Sequence, residues 1–391
     1  MTPAARIASV CDILDRILDG APTEAALINW TRGNRFAGSG DRAAIRDLVF
    51  DAMRCQRSYA VAGGAATGRG LMLGHCRAQG IDPATIFTSE RFAPARLTET
   101  EAEAFAKAPM PEGNDALDCP DWLAPMLKDS LKGDFDPVMQ ALQRRAPVFL
   151  RVNLARVTRP EAVAALAREG VVAEPSNLAS SALEVTENPR KIHLTQAYMT
   201  GLVELQDSAS QAMIESLPLT AGARVLDYCA GGGGKALALA ARAKIDIFAH
   251  DIAPERMQDI PARAARAGRR IQMVEPGAID GLFDLVVVDA PCSGSGTWRR
   301  APEAKWRLTP ERLMKMTQIQ RDILEKAAQF VAPGGTLAYM TCSLLDVENA
   351  DQTSDFAAAE GWEKISERRL TPLDGGDGFY GCTLRRLSDA V

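Results

Sequence analysis

The chain has only three histidines, and its eight cysteines never stand two residues apart, so no spacing in it suits a zinc ion. The cysteines, at 11, 55, 76, 119, 229, 292, 342 and 382, show no short repeated interval either, which excludes a dense disulfide frame and points to reduced thiols in a cytoplasmic protein. No apolar run approaches the roughly 18 to 20 residues of a membrane helix. The N-terminal MTPAARIASVCDILDRILDG carries acids where a secretion signal would stay apolar, so neither targeting nor membrane contact is expected. Excess positive charge is missing as well. Forty-five Lys and Arg against 50 Asp and Glu give a net charge of -5, so any nucleic-acid partner must be met by local patches. No internal repeat or low-complexity tract occurs. What remains is 391 residues, 47% hydrophobic and 24% charged, the composition of a globular protein with two or three domains.

Ile7, Val10, Cys11, Leu14, Ile17 and Leu18 recur at intervals of three and four, which predicts an amphipathic helix ending at Gly20-Ala21-Pro22. Further helices are expected over 23–30 and 43–53, so the first hundred residues read as all-helical. Residues 1–80 hold ten Arg against seven acids, a local +3 that suits either a solvated helical surface or one facing RNA. KAPMPEGNDALDCP (107–120) lacks periodicity and reads as a linker, with a boundary near 115. A helix over 122–142, a strand-like run at 148–153, a helix at 160–169 and further strand-like pieces to about 205 suggest a small α+β unit. From about 222, apolar strands alternate with amphipathic helices. That alternation predicts a mostly parallel sheet with helices on both faces and ligands at the carboxyl ends of its strands.

Four segments end strands in this way: DYCAGGGGKA (227–236), AHDIAPER (249–256), DAPCSGSGTWRR (289–300) and TCSLLDVEN (341–349). Glycines 231–234 let a ligand approach the backbone, and the helix that follows presents free N–H groups to an anion. A P-loop is excluded, because Cys229 stands where the first Gly would be and Ala236 where the Ser/Thr would be. Asp251, about 20 residues on, is placed to accept ribose hydroxyls. These two features alone fit several classes of nucleoside-cofactor protein. Cys292 and Cys342 narrow the choice: each sits in a turn after a strand, and both thiols are expected at one cleft.

DYCAGGGGK, FDLVVVDAPCSGSGTWRR, PEAKWRL, APGGTLAYMTCSLLDVEN and DGFYG together resemble the Nop/Sun family of S-adenosylmethionine-dependent RNA cytosine-5 methyltransferases. The N-terminal helices with RFAGSGDR look like the NusB-like domain of its bacterial Fmu/Sun branch, which methylates 16S ribosomal RNA. The resemblance implies an α/β fold: a Rossmann-like class I methyltransferase domain over 206–391, preceded by a NusB-like helical RNA-binding domain over 1–115 and an α+β adaptor over 116–205. It implies S-adenosylmethionine as cofactor, RNA as partner, a monomer and no metal. Cys342 matches the attacking cysteine, Cys292 the cysteine that helps release product, and Asp289 the acid that holds the base. Cys229, Ala230, Gly231, Gly232, Gly233, Gly234, Lys235, Asp251, Arg256 and Asp289 match the cofactor side of the cleft, which Lys235 shares with the RNA. The family loop commonly reads APGGKT, whereas here Gly232 replaces Pro and Ala236 replaces Thr. Glu275 or Asp280 is expected at the adenine amino group. Trp298, Arg299, Arg300 and Lys305 interleave aromatic and cationic groups suited to RNA. Arg263, Arg266, Arg269 and Arg270 form a further basic cluster, and Arg144, Arg145 and Arg151 with Asn153 are expected to line the path between the domains.

Overall fold

A computed structural model describes residues 1–386; the last five residues of the expected methyltransferase domain lie outside them. The chain divides into two compact units, Met1–Arg145 with Trp298–Arg307, and Ala146–Thr297 with Leu308–Val391. This division by compactness falls at 145 rather than near 115. The reason is local. Asp118, in the stretch expected to be a linker, is fully buried and accepts hydrogen bonds from the Arg57 and Ser58 amides, the Ser58 hydroxyl and the Gln143 side chain. Burial raises its carboxyl above the usual range, although Lys305 opposes the rise.

All elements of the first unit are helical among the described residues. Pro3–Leu18 is capped by Thr2, with proline in its first turn, where a missing N–H costs nothing. Thr23–Gly33, Ser39–Arg54, Gln56–Gly63 and Gly68–Ala78 come next. Val10, Ile13, Leu14, Ile45, Val49, Leu71 and Met72 form their shared core. Six of the ten arginines in residues 1–80 are held inside this unit: Arg6 by Asp41, Arg46 by Glu24, Arg54 by the Arg299 carbonyl, Arg57 by Asp115, Arg69 by Glu101 and Arg77 by the Ala108 carbonyl. The local excess of positive charge therefore serves the fold in large part.

The second unit contains two sheets. In the smaller, strands β1 (Val148–Val152), β2 (Val172–Pro175), β3 (Ala182–Glu187) and β4 (Val203–Leu205) run antiparallel in the order β2-β3-β1-β4. Helix Arg159–Arg168, opened by a Thr158–Glu161 capping box, packs Ala162 and Leu166 on Leu150, Val152 and Leu183. This is the expected α+β region, and it falls in the same compact unit as the larger sheet.

The larger sheet contains β5 (Arg224–Asp227), β6 (Asp246–His250), β7 (Gln272–Val274), β8 (Phe283–Asp289), β9 (Val331–Thr341), β10 (Trp362–Leu370) and β11 (Phe379–Arg386), in the order β10-β11-β9-β8-β5-β6-β7. The pairs from β7 through β9 are parallel; β11 runs antiparallel to both β9 and β10. Val225 and Leu226 of β5, with Leu285, Val286, Val287 and Val288 of β8, are buried on both faces, as a sheet covered by helices requires. The strand order reverses between β5 and β8, so a ligand crevice is expected at the carboxyl ends of these strands.

Candidate functional site

A cavity of about 740 Å³ opens there. Its wall includes the glycine turn after β5, Asp251 after β6, Asp289 and Cys292 after β8, and Cys342 after β9. Helix Pro310–Ala328 contributes Ile319, Asp322, Ile323 and Lys326. Because β8 and β9 pair with Asp289 opposite Met340, the two cysteine turns leave neighbouring strands side by side. The Cys292 and Cys342 sulfurs stand 3.4 Å apart. That contact, with burial, pushes the Cys292 thiol well above its ordinary value and keeps it protonated.

Lys235 begins helix Gly234–Arg242 and reaches Asp289 at 2.5 Å. Burial alone would lower its ammonium, but the charge of Asp289 and its hydrogen bond, aided by Asp227, outweigh that and raise it. Asp227, the last residue of β5, is fully buried and lines the cavity, yet neither carboxylate oxygen has a hydrogen-bond partner among the described residues. Burial raises its pKa to about 7, with Lys235 opposing and Asp289 reinforcing the shift. An unpartnered buried carboxylate on a cavity wall fits a ligand that brings its own cation. Spacing alone gives Asp227 no role; the available signal is an acid at a strand end directly before a glycine turn.

Asp251 is held rigidly: its carboxylate accepts from the Gly231 amide at 2.9 Å and the Ala253 amide at 3.0 Å, and it pairs with Arg256 at 3.1 Å. The Gly231 N–H is thus spent on the protein. The small sheet supports the same turn through Arg151 of β1, which donates to the Gly234 carbonyl at 2.9 Å and to the Gln206 side chain. Asp207 caps the helix Ser208–Ser216, as a capping acid should.

Cys229, Ala230, Gly231, Gly232, Gly234, Lys235, Asp251, Arg256, Asp289, Cys292 and Cys342 all line the cavity. Gly233 does not. Its φ is +77°, and a Cβ there would lie 2.8 Å from Ile260, so it serves close helix packing. Ala236 is buried in the core beneath, so the change from the family's Thr falls away from the cavity wall. Glu275 and Asp280 are exposed and do not line this cavity. The expected RNA contacts change too. Trp298, Arg299 and Lys305 are 1%, 5% and 1% exposed, so burial withdraws them from a surface that RNA could meet, whereas Arg300 is exposed. The aromatic and basic residues of helix Pro302–Arg307 anchor the first unit: Lys305 donates to the Arg54 carbonyl, and the Trp306 indole donates to that of Met53. Arg263 and Arg266 pair with Glu204, and Arg145 with Asp47. The thiols given no role behave accordingly: burial pushes Cys11 and Cys55 to about 12, and Cys76 and Cys119 to about 11.

Residues 214–379 match the family described as 16S rRNA methyltransferase RsmB/F, and residues 119–193 match its RsmF/B-like ferredoxin-like domain. Two separate stretches of this chain are thus similar to domains of the RsmB/F family. Among curated RsmB/F relatives, ribosomal RNA small subunit methyltransferase B of Vibrio cholerae is 31% identical over 288 residues, covering 68% of this chain and 65% of that protein. The enzyme of the same name from Photorhabdus laumondii is 29% identical over 284 residues, covering 68% of this chain and 66% of its own. The matched stretch thus spans just under two thirds of those relatives' length. Two Pyrococcus horikoshii structures share the fold: a methyltransferase homolog protein (TM-score 0.61, 24% identity, 69% of this chain and 96% of that one) and NSun6 (TM-score 0.60, 17% identity, 69% and 99%). The ferredoxin-like match begins at residue 119, whereas the compact unit that contains β1 to β4 begins at Ala146.

Proposed function

We propose that this protein belongs to the RsmB/F family and methylates carbon 5 of a cytosine in 16S ribosomal RNA, with S-adenosylmethionine as methyl donor and Cys342 as covalent nucleophile, in the cytoplasm. The observation that carries this reading is the pair of thiols 3.4 Å apart on a cavity wall that also presents the Lys235–Asp289 pair and Asp227. Single buried cysteines are usually inert; two in contact at adjacent strand ends, on a cavity, are hard to explain by packing alone.

The residues fit a sulfonium nucleoside. Asp227 offers unpartnered carboxylate oxygens to a cationic group, the Asp251–Arg256 pair on the cavity wall offers polar groups to a ribose, and Ile252, Ile319 and Ile323 give apolar surface. When bound, that cofactor supplies an electrophilic methyl group. Carbon 5 of cytosine is too weak a nucleophile to take it unaided. Addition of the Cys342 sulfur to carbon 6 breaks the 5,6 double bond and moves its electron pair toward carbon 5 and N3. Asp289, with Lys235 at 2.5 Å, stabilises the charge that develops on the ring near N3. Cys292, kept protonated beside Cys342, leaves the attack to its neighbour; after methyl transfer it gives its proton to solvent and as thiolate takes the carbon-5 proton, whose bonding pair re-forms the 5,6 double bond and expels the Cys342 sulfur.

The direct test incubates the protein with unmodified 16S RNA and methyl-labelled S-adenosylmethionine, then digests the RNA to nucleosides. Labelled 5-methylcytidine, lost in Cys342→Ala, supports the reading. Label in another nucleoside, or undiminished label in Cys342→Ala, would overturn it.

A further inference from the structure

Behind the two cysteines, away from the cavity, lies a buried polar cluster that the chemistry above does not use. Glu348 is fully buried and absent from the cavity wall. One carboxylate oxygen accepts from the Ser293 amide at 2.8 Å and from the Gln320 side chain at 3.0 Å; the other accepts from the Ser293 and Ser343 hydroxyls, both at 2.5 Å. Ser293 directly follows Cys292 and Ser343 directly follows Cys342. The Gln320 side chain also donates to the Pro291 carbonyl at 2.9 Å, gripping the residue before Cys292. Ser295 closes the cluster, accepting from the Leu344 amide at 2.7 Å and lying 3.1 Å from the Ser343 hydroxyl. Tyr339 of β9 donates to the Glu348 carbonyl at 2.7 Å, and the Asn349 side chain donates to that of Ser343 at 2.9 Å, so the backbone at Glu348 and at Ser343 is itself held.

We propose that Glu348 is a positioning residue: its one carboxylate ties the turns after β8 and β9 to each other and so sets the register of the Cys292 and Cys342 sulfurs. Burying a carboxylate forfeits its solvation, and apolar packing could hold a lone turn without it. Only a bidentate acceptor can draw donors from three separate segments to one point. Glu348 hydrogen-bonds neither sulfur and acts through Ser293 and Ser343, which follow the two cysteines, and through Gln320, which holds the Pro291 carbonyl. The inference rests on the reading of these cysteines as the reacting pair.

The test uses the full-length protein and its Glu348→Ala, Glu348→Gln and Ser343→Ala variants, with two readouts. The first needs no RNA: diamide takes one hydrogen from each thiol and is reduced to its hydrazine as the Cys292–Cys342 disulfide forms, and the closure rate is followed by mass spectrometry. The second is the split of kcat and KM in RNA methylation. Because misplacing reacting groups by about 1 Å can cost about 100-fold, Glu348→Ala should lower kcat by about that factor. It should slow disulfide closure about 10-fold or more while the KM for cofactor changes less than about 2-fold, and Glu348→Gln should recover part of both losses. A folded Glu348→Ala protein that closes the disulfide at the wild-type rate overturns the proposal, as does a loss confined to cofactor binding. Should that variant not fold, Ser343→Ala removes a single donor and must still slow closure about 3-fold or more; an unchanged rate overturns the proposal equally. If closure is slowed by these substitutions while the unsubstituted protein makes no 5-methylcytidine, the positioning holds and the cytosine reading alone fails.

Discussion

Gly296 offers a sharp way to disturb the site without touching any reacting group. Its N–H donates to the Cys342 carbonyl at 2.9 Å, and its own carbonyl accepts from the Gly378 amide at 2.9 Å, so it bridges the turn after β8 and the one after β9. A Cβ placed there would lie 2.2 Å from the Gly378 carbonyl oxygen and 2.6 Å from that residue's Cα. Its φ is not positive, so the penalty of Gly296→Ala is contact alone. All three nearest atoms are backbone and cannot rotate away; reaching an ordinary contact of about 3.4 Å requires a shift of about 1 Å, and overpacking of this kind costs about 1–3 kcal/mol or more. The melting temperature should fall by about 2–12 °C. A 1 Å displacement passed to the Cys342 turn should lower kcat about 100-fold, with cofactor binding nearly intact. Gly33→Ala, which meets open space at the end of its helix, is the control and should leave both unchanged. Thermal unfolding, calorimetric cofactor binding and single-turnover methylation measure the three quantities. A Gly296→Ala protein with wild-type melting and turnover would refute this account of how the two turns are held together.

Three further outcomes are expected. Asp227 has its pKa raised from 3.8 to about 7, so its contribution to stability is full below pH 3.8 and is lost as pH rises toward 7; if its ionised form receives the cofactor's cation, affinity for S-adenosylmethionine should climb up to about tenfold per pH unit below 7 and flatten above, and Asp227→Asn should abolish that slope in calorimetric titrations. Lys235→Met removes the partner of Asp289 from the cavity and should cut turnover about 100-fold in a steady-state assay, with a smaller effect on RNA affinity. Lys305→Ala should lower the melting temperature and leave the salt dependence of RNA binding unchanged, because Lys305 is buried, whereas Arg300→Ala should reduce the slope of log affinity against log salt by about one.

The parallel strands β5, β6, β8 and β9 were legible because their apolar runs end in glycine turns and chemistry-bearing residues, and the helices of residues 3–54 because their apolar stripes repeat at three and four. Strands β7 and β10 were not: both are short of buried positions, and an exposed edge strand leaves no alternation to read. The segment 298–307 misled for a related reason. Tryptophan and lysine at helical spacing describe an RNA-binding face and a buried anchor equally well, and only the fold shows Trp298 and Lys305 inside. The compact division at 145 could not be read from composition, because composition reports polarity, and Asp118 is a polar residue that is fully buried and hydrogen-bonded to Arg57 and Gln143. Within the site, the cysteines, Asp289 and Lys235 were visible through motifs. Asp227 and Glu348 were written in the same motifs, yet their roles depend on which oxygens lack partners and which donors converge, and neither can be read from spacing.

Cys342 is proposed to form the covalent bond and Cys292 to serve its release, a division of roles that a single experiment can separate. It is tested most directly on denaturing gels with Cys292→Ala and Cys342→Ala proteins, unmodified 16S RNA and S-adenosylmethionine. Cys292→Ala should accumulate a slow-migrating protein–RNA adduct, and Cys342→Ala should form none. An adduct in Cys342→Ala, or the absence of one in Cys292→Ala under conditions where the unsubstituted protein methylates the RNA, would contradict it.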